Sequence, residues 1–300
     1  VTDGVAEGRE QQKRRRRKRP HRVAETVPSA GEWFSLVSDF RERRDLEKVV
    51  LARRRRFDGG PQEPWDLLAA LEAQPGATDL CYRFGMQLAA ADDDDDRSTF
   101  VGCSPELLCA VEGKTMTCDV VAGTRRRGTD ALTDAALTED LRTSAKDALE
   151  NDIVRAFVEA RLAGIASKTT VSAVDVVKLA NVQHLRRQVT AHVRDQDVAS
   201  ILKTLHPTPA TLGTPSARAR DFLRNGERFD RGWFAGPFGA VGRSHATFAV
   251  ALRSALCLAN TTVFAYAGAG VVRGSDAAKE ADEIDHKLYP IHDALLQLGC

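Results

Sequence analysis

Apolar residues recur with the spacing of a helix at several places in the chain. After Ser29, four apolar side chains follow at helical intervals, namely Trp33, Phe34, Val37 and Phe40. Serine is favoured at the N-cap of a helix, because its hydroxyl accepts a hydrogen bond from the first turn. The spacing therefore predicts an amphipathic helix that begins just after Ser29.

The segment 47–57 instead has the period-two pattern of a strand. Val49 and Leu51 share one face, and the opposite face carries Lys48 together with Val50. A lysine on an inner face of a sheet is desolvated and can act as a base. A lysine that guards a sheet edge against further pairing is the alternative, and the pattern alone leaves both open.

The rest of the chain alternates between predicted strands and predicted helices. Short turns separate the later strands, which favours antiparallel pairing. The layout is therefore typical of the α+β class, with large antiparallel sheets and helices packed outside them. Strands are expected at 80–88, 99–103, 107–112, 115–122, 171–178, 182–193, 234–242, 246–256 and 262–272, and helices at 64–73, 131–143, 145–164, 197–204, 216–225 and 276–298.

The composition is that of a globular protein. Hydrophobic residues make up 43% and charged residues 28% of the 300 residues, which excludes a fibrous or fully disordered chain. No uncharged apolar run approaches the roughly 18 residues that a membrane span needs. The six cysteines include no CxxC pair, so a disulfide scaffold and a zinc ribbon are both disfavoured. We expect free thiols in a soluble intracellular protein.

Positive charge is concentrated near the start of the chain. Lys13–Arg19 contains seven of the 43 lysines and arginines, which leaves 36 against 42 aspartates and glutamates elsewhere. Because a nucleic-acid enzyme spreads its cations over a binding face, a nucleic-acid partner is disfavoured. We expect a disordered basic arm or linker over 1–28 and a catalytic domain over 29–300. Asp92–Asp96 is expected to be a solvated loop that binds cations weakly at most.

The predicted C-terminal helix carries the most specific pattern. Glu280, Glu283 and Lys287 fall on one stripe, beside an apolar stripe for packing. An exposed salt bridge between Glu283 and Lys287 would account for these charges alone. The glycine-rich segment 266–270 changes this interpretation, because small residues let backbone N–H groups approach an anion. Carboxylates beside it suit a hard divalent cation and an anionic ligand. The apolar stripe consists of Ile284, Leu288, Ile291 and Leu295.

Two more carboxylates, Asp147 and Glu150, share a face of the helix predicted at 145–164. Taken alone, this pattern indicates a solvated helix surface. The apolar side of the same helix is expected to carry Leu149, Ile153, Phe157 and Leu162. The pattern therefore predicts that Asp147 and Glu150 face water.

Two other residues have chemistry that the pattern leaves open. Glu106 follows Ser104-Pro105 after a predicted strand, where partial burial would raise its pKa and let it donate a proton. A plain turn residue is the alternative. His206 precedes Pro207 after a predicted helix, and it either contacts a substrate or serves a structural role, which is favoured.

The runs that carry these residues resemble those of the chorismate-utilising enzymes, over about 30–299. The resemblance implies a four-layer α/β/β/α sandwich around two large antiparallel sheets, in agreement with the α+β pattern. The matching runs, in order, are EKVVLAR (47–53), FVGCSPELL (100–108), VAGTRRRG (121–128), SAKDALEND (144–152), VQHL (182–185), LHPTPATLGTP (205–215), FDRGWFAGPFGAVG (229–242), FAVALRSAL (248–256), YAGAGVVRGSD (266–276) and KEADEIDHK (279–287).

Within that family, the residue at the second position of the first run separates the reaction types. Members that add water to chorismate carry lysine there, whereas members that add ammonia usually carry glutamine. Lys48 therefore implies an isochorismate synthase of the menaquinone, phylloquinone or salicylate type. A salicylate synthase shares the lysine and is the alternative. A non-catalytic homologue with a partner-binding basic arm is a further alternative, disfavoured because no catalytic group is missing.

The resemblance also implies a role for each matching residue. Lys48 would be the general base for water, and Glu106 the general acid for the departing 4-hydroxyl. Glu150 and Glu283 would hold Mg²⁺, with Glu280 near the ion or bound to it through a water. The substrate would be held by Arg253, Lys287 and Gly268, and the pocket would be lined by Gly123, Thr124, Ala210 and Phe234.

The chain departs from the family pattern at two places. Ala281 stands where a tryptophan is common, and Thr211 stands where a larger apolar residue is usual. Neither change removes a catalytic group. Relatives often carry more sequence at the N-terminus, so we expect the chain to be a fragment or a processed product. A monomer is slightly favoured, and the compartment would be the plastid in a photosynthetic eukaryote or the cytoplasm in a bacterium.

Overall fold

Two antiparallel β-sheets form the centre of the structure, a computed structural model that describes residues 23–74, 80–88, 98–194, 197–258 and 261–300. In these ranges each sheet has seven strands. The first, sheet I, has the order β1-β2-β14-β13-β4-β3, with β10 paired to β2. Its strands are β1 (Val23–Val27), β2 (Lys48–Asp58), β3 (Tyr82–Leu88), β4 (Ser98–Ser104), β10 (Gly213–Thr214), β13 (Ser254–Leu258) and β14 (Thr262–Val272).

The second sheet, sheet II, has the order β11-β12-β5-β6-β9-β7, with β8 paired to β9. All of its pairings are antiparallel, as expected for strands joined by short turns. Its strands are β5 (Leu107–Glu112), β6 (Thr115–Arg126), β7 (Ala166–Val171), β8 (Asp175–Lys178), β9 (Val182–Val193), β11 (Pro237–Val241) and β12 (His245–Val250).

Helices cover the outer face of each sheet. Helices α1, α2, α6 and α7 pack on sheet I, and α3, α4 and α5 pack on sheet II. The result is the predicted four-layer α/β/β/α sandwich. The helices are α1 (Ala30–Glu42), α2 (Pro64–Glu72), α3 (Ala131–Thr143), α4 (Ala145–Ala163), α5 (Val198–Leu205), α6 (Ser216–Gly226) and α7 (Ala277–Leu298).

The predicted faces of β2 are confirmed. Val49 and Leu51 belong to the core beneath the helices of sheet I, whereas Lys48 and Val50 point to the space between the sheets. Lys48 also pairs with Val272 of β14 and, on its other side, with β10, so β2 is an interior strand at this position. The interpretation of Lys48 as an edge-strand residue is therefore wrong.

The expected element bounds differ from the structure at three places. Strand β1 lies within the range 1–28 and its backbone pairs with β2, so residues 23–27 belong to sheet I rather than to the expected arm. Strand β7 was not expected, and the strand predicted at 171–178 is reduced to β8. The strand predicted at 246–256 is divided into β12 and β13. The basic run Lys13–Arg19 and the aspartates Asp92–Asp96 lie outside the described residues.

The apolar side predicted for α4 is wrong at its start but confirmed towards its end, where Leu162 is fully buried and Phe157 packs against the core of sheet II. Leu149 is half exposed, whereas Asp147 and Glu150 are buried together with Asn151 and Val154. The buried polar residues have partners: the Asn151 amide donates to the backbone carbonyl of Ala122 at 3.2 Å, Asp147 pairs with an arginine of β6, and Glu150 pairs with Lys48 of sheet I. Because these partners repay the cost of burial, the polar face of the helix lies inward.

The predicted apolar stripe of α7 is confirmed, since Ile284, Leu288, Ile291 and Leu295 are all fully buried. A hydrogen bond ties the start of this helix to α1: the Trp33 indole N–H donates to the carbonyl of Ala277 at 2.9 Å. Trp33 itself is fully buried, so it fixes the end of α7 that carries the acidic residues.

We expect Trp33→Ala to lower the free energy of unfolding by about 3–5 kcal/mol, because it opens a cavity and removes this hydrogen bond. Trp33→Phe keeps most of the packing and should cost clearly less. Urea unfolding followed by circular dichroism measures both changes. Equal losses in the two variants would contradict the packing role assigned to the indole ring.

Candidate active site

The chain crosses between the two sheets at two neighbouring segments, and each segment delivers one charged side chain to the interior. Pro105 and Glu106 join β4 of sheet I to β5 of sheet II, and 251–253 joins β12 of sheet II to β13 of sheet I. The crossings are hydrogen-bonded to each other, from the N–H of Val250 to the carbonyl of Glu106 at 3.1 Å and from the N–H of Cys103 to the carbonyl of Arg253 at 3.2 Å.

Arg253 adopts a positive φ of 50° at its crossing. This conformation is uncommon for a residue with a side chain and persists where the surroundings impose it, often at functional sites. It explains why one predicted strand became two: the pattern FAVALRSAL keeps its alternation, but the backbone changes sheets at Arg253.

Between the sheets lies a cavity that collects almost all of the residues singled out from the sequence. Among the residues to which the resemblance gives a role, Glu280 alone lies outside it, in a second cavity that adjoins the first through Thr124 and Glu283. Asp147 does not line the first cavity either. The predicted residues that line the first cavity are Lys48, Glu106, Gly123, Thr124, Glu150, Ala210, Phe234, Arg253, Gly268, Glu283 and Lys287. His206 does not line it, in line with the structural role favoured for that residue.

A buried ion pair joins sheet I to α4 in this cavity. The Lys48 ammonium lies 3.1 Å from Oε1 of Glu150, and the two residues are 1% and 7% exposed. Burial raises the pKa of Glu150, but Lys48 and Lys146 outweigh that effect, and the pKa is lowered overall. Glu150 is therefore an ionised carboxylate inside the protein.

Gly270 of β14 leaves the space that this pair occupies. A Cβ atom at position 270 would lie 2.0 Å from Oε1 of Glu150 and 3.0 Å from Cε of Lys48. A side chain of any size would therefore push the carboxylate away from the lysine.

A second charged pair lies on α7. The Lys287 ammonium donates to Oε1 of Glu283 at 2.6 Å and to the carbonyl of Gly268 at 2.8 Å. The sequence alone left an exposed i,i+4 salt bridge between these residues as an alternative. The salt bridge is present, but it is not exposed, because the side chains of Lys287 and Glu283 are only 17% and 14% exposed. The bond to Gly268 fixes the lysine against the glycine-rich strand β14.

Glu280, one turn before Glu283, is buried in an unfavourable environment for its charge. Burial and repulsion by Glu283 raise its pKa to about 7, against the effect of Lys146, whose ammonium is 2.9 Å from Oε1 of Glu280. Lys146 was not singled out from the sequence. The run SAKDALEND contains it, but only the fold shows that α4 and α7 meet at this point.

His184 belongs to the run VQHL, but the sequence did not mark it as a site residue. Only the structure shows that it contacts Arg253. The ring is buried between two side chains. Nδ1 of His184 lies 3.0 Å from the hydroxyl oxygen of Thr124, and Nε2 of His184 lies 3.1 Å from Nη2 of Arg253. Burial, Arg253 and Lys287 together hold the pKa of His184 well below its usual range. The neutral ring can then accept a hydrogen bond from Arg253 at Nε2, which requires the proton on Nδ1.

Glu106 has the properties of an acid that is protonated at neutral pH. Burial raises its pKa to about 8, repulsion by Asp119 adds to the rise, and Lys48 and Lys287 oppose it. Asp119 lies on β6 and accepts a hydrogen bond from the N–H of Leu107 at 3.4 Å. This aspartate, too, was missed in the sequence, where it appears as one polar residue in an alternating strand.

Comparison with known proteins identifies the family. The model of the family described as "Chorismate binding enzyme" matches residues 3–296. The chain belongs to this chorismate-binding enzyme family. Its departures from the family pattern are accommodated locally: Ala281 packs against the core of sheet I, and the Thr211 hydroxyl donates to the carbonyl of Thr208 at 3.1 Å.

Members of the family with related sequences include "Isochorismate synthase 2, chloroplastic" of Arabidopsis thaliana, 35% identical over 90% of this chain and 49% of that protein. The chain thus spans about half the length of that relative.

Two solved structures show the same fold. DhbC from Bacillus anthracis has a TM-score of 0.85 at 30% identity, over 91% of this chain and 74% of that one. The menaquinone-specific isochorismate synthase MenF from Escherichia coli has a TM-score of 0.79 at 32% identity, over 92% and 63%. In the described part of this family member, no helix is long and apolar enough to cross a membrane.

The space at Gly270 yields a prediction. We expect Gly270→Ala to separate Lys48 from Glu150 beyond 4 Å, because the added methyl group occupies the position of the carboxylate. The fold should survive, since the displaced atoms are the flexible ends of side chains. A crystal structure measures the distance, and Gly31→Ala on α1 is the control, because nothing lies within 4 Å of its new methyl group. An unchanged Lys48–Glu150 distance would show that the pair does not depend on this glycine.

Proposed function

We propose that this protein is an isochorismate synthase, an isomerase that converts chorismate to isochorismate with the help of Mg²⁺. The observation that carries the proposal is that one cavity between the sheets holds two residues able to transfer protons, Lys48 and Glu106, and that the carboxyl group of Glu106 is protonated at neutral pH. The names of the relatives described above support it. The glycine-rich strand and the cations of Arg253 and Lys287 support an anionic substrate.

The reaction relocates a hydroxyl group across the ring. Lys48 acts as the base after its ammonium, paired with Glu150, has released a proton. The neutral amine then takes a proton from a water molecule as the oxygen bonds to C2. The ring double bonds shift, the bond between C4 and its oxygen breaks, and Glu106 gives its proton to the departing oxygen. One water enters and one leaves, so the atoms balance without an oxidant or a reductant.

Chorismate is a dianion, so the cavity needs positive charge where the carboxylates bind. Arg253 is directed by its acceptor His184, and Lys287 by Gly268 and Glu283. Gly123 and Gly268 have no side chain, so they leave room for the substrate in the cavity. Ala210 and Phe234 supply apolar surface for its ring. Phe234 is itself held by stacking on Tyr266, with ring centroids 5.6 Å apart.

The residues fit a Mg²⁺ ion of the kind that takes one or two protein carboxylates and completes its shell with water and substrate oxygens. Glu150 and Glu283 line the substrate cavity, and Glu280 lines the cavity next to it. The pKa of Glu280 is raised to about 7, which indicates that the positive charge near its carboxylate does not balance the negative charge there. Among the described residues, no three acidic, histidine or cysteine side chains already form a complete ligand set. When bound, the ion would draw charge into the substrate carboxylate during addition of water.

The direct test is the product. Purified protein incubated with chorismate and Mg²⁺ should yield isochorismate, separated by chromatography. Salicylate and pyruvate in its place would instead make the protein a salicylate synthase, and absence of turnover would favour a non-catalytic homologue.

Lys48→Ala and Glu106→Gln should each lower kcat by at least about 10²-fold, since each removes one proton-transfer group. Circular dichroism should show that both variants are folded at the assay temperature, with Lys48→Ala the less stable because Glu150 then keeps only Lys146 as a counter-charge. Full activity in either variant would contradict the role assigned to that residue.

The pKa of Glu106 gives a pH dependence. Only the protonated carboxyl group can donate, so kcat/KM should fall as the pH rises above about 8. Asp119→Asn removes the neighbouring negative charge, which lowers the pKa of Glu106 and should move this decline to lower pH. The matched control is Asp58→Asn at the exposed end of β2. A decline that stays in place or moves to higher pH in Asp119→Asn would rule out this electrostatic coupling.

A further inference from the structure

Lys146 is the point at which the two acidic helices are joined. It is the second residue of α4, and its ammonium lies 2.9 Å from Oε1 of Glu280 and 3.4 Å from Oε2 of Glu150. Oδ1 of Asp147 is 3.8 Å away. One cation is thus shared by carboxylates of both helices.

The neighbouring carboxylates each have another cation. Glu150 has Lys48 at 3.1 Å, Glu283 has Lys287 at 2.6 Å, and Asp147 has an arginine on β6 at 2.8 Å. Within the described ranges, Glu280 has Lys146 as its only ion-pair partner. Without Lys146, this buried carboxylate would have no counter-charge.

A divalent ion held by Glu150 and Glu283, with Glu280 beside it, would compete with the ammonium for the carboxylate of Glu150 and would lie close to the ammonium. Mg²⁺ binds carboxylate oxygens at about 2.0–2.1 Å, and two cations on one pair of carboxylates repel each other strongly in a partly buried site. We propose that Lys146 is a positioning residue that holds Glu150 and Glu280 together before the metal binds and is displaced when it does. The inference rests on the proposed function, because it assumes that Mg²⁺ binds between α4 and α7.

The structure offers the displaced side chain a place to go. Lys146 lines the second cavity, and its side chain is 24% exposed. The wall of that cavity also carries Asp140, Asp276 and Asp282. A flexible four-carbon side chain can therefore move outward and remain among carboxylates.

The test is the affinity for Mg²⁺, measured by isothermal titration calorimetry without substrate. Lys146→Met removes the competing charge and should lower the Kd by at least about fivefold, a typical size for coupling between two sites. Lys146→Arg keeps the charge and should bind no more tightly than the wild type. Lys279→Met is the matched control, because Lys279 lines the same cavity but forms no ion pair among the described residues.

A second measurement uses the unaltered protein. Mg²⁺ should increase the rate at which an amine-directed acetylating reagent modifies Lys146, followed by peptide mass spectrometry, because the ammonium leaves its carboxylates. Lys279 in the same digest is the internal reference and should keep its rate.

The outcomes distinguish the role of Lys146 from the existence of the metal site. Weaker or unchanged Mg²⁺ binding in Lys146→Met, or acetylation that Mg²⁺ slows or leaves unchanged, would overturn the role of Lys146 alone. Absence of Mg²⁺ binding by the wild type would overturn both this role and the proposed metal site. Isochorismate formation is measured separately and does not enter either result.

Discussion

The buried ion pair between Lys48 and Glu150 is the constraint on which the rest of the site depends. Charges taken out of water are costly unless each has a close partner, so neither residue can stay in the interior alone. Lys48 belongs to a strand of sheet I, whereas Glu150 belongs to a helix that covers sheet II. The pair therefore fixes the distance between two layers of the sandwich and forces the polar face of α4 inward. Lys146 and Glu280 extend the same set of charges to α7.

The way in which the chain changes sheets supplies the remaining chemistry. Both crossings put a charged residue, Glu106 or Arg253, between the sheets, in the cavity that Lys48 of β2 also lines. Burial has opposite consequences for the two groups, because it favours the neutral form of each. It raises the pKa of Glu106 to about 8, whereas it lowers the pKa of Arg253 to about 10, which leaves the guanidinium charged at neutral pH. One cavity thus contains a neutral acid beside fixed positive charge.

The sequence predicted the fold class and most elements, since alternation and helical spacing report directly on which faces are buried. It could not predict the burial of Asp147 and Glu150, because the partners that make their burial favourable lie on distant strands. It could not single out Lys146, His184 or Asp119 for the same reason: each acts through a neighbour that is remote in the chain. Local periodicity carries no information about such contacts. The pattern made Lys48, Glu106, Glu280, Glu283 and Lys287 candidates, but their individual roles, and the choice of the other site residues, came from the family resemblance.

We propose that α4 and α7 together bind one metal ion beside a substrate held between the sheets. Crystals grown with Mn²⁺ in place of Mg²⁺ test it most directly, because Mn²⁺ gives an anomalous signal that locates the ion without ambiguity. We expect one anomalous peak, from an ion bound by the carboxylates of both Glu150 and Glu283. A peak bonded to only one of these helices, or located away from the cavity, would contradict it.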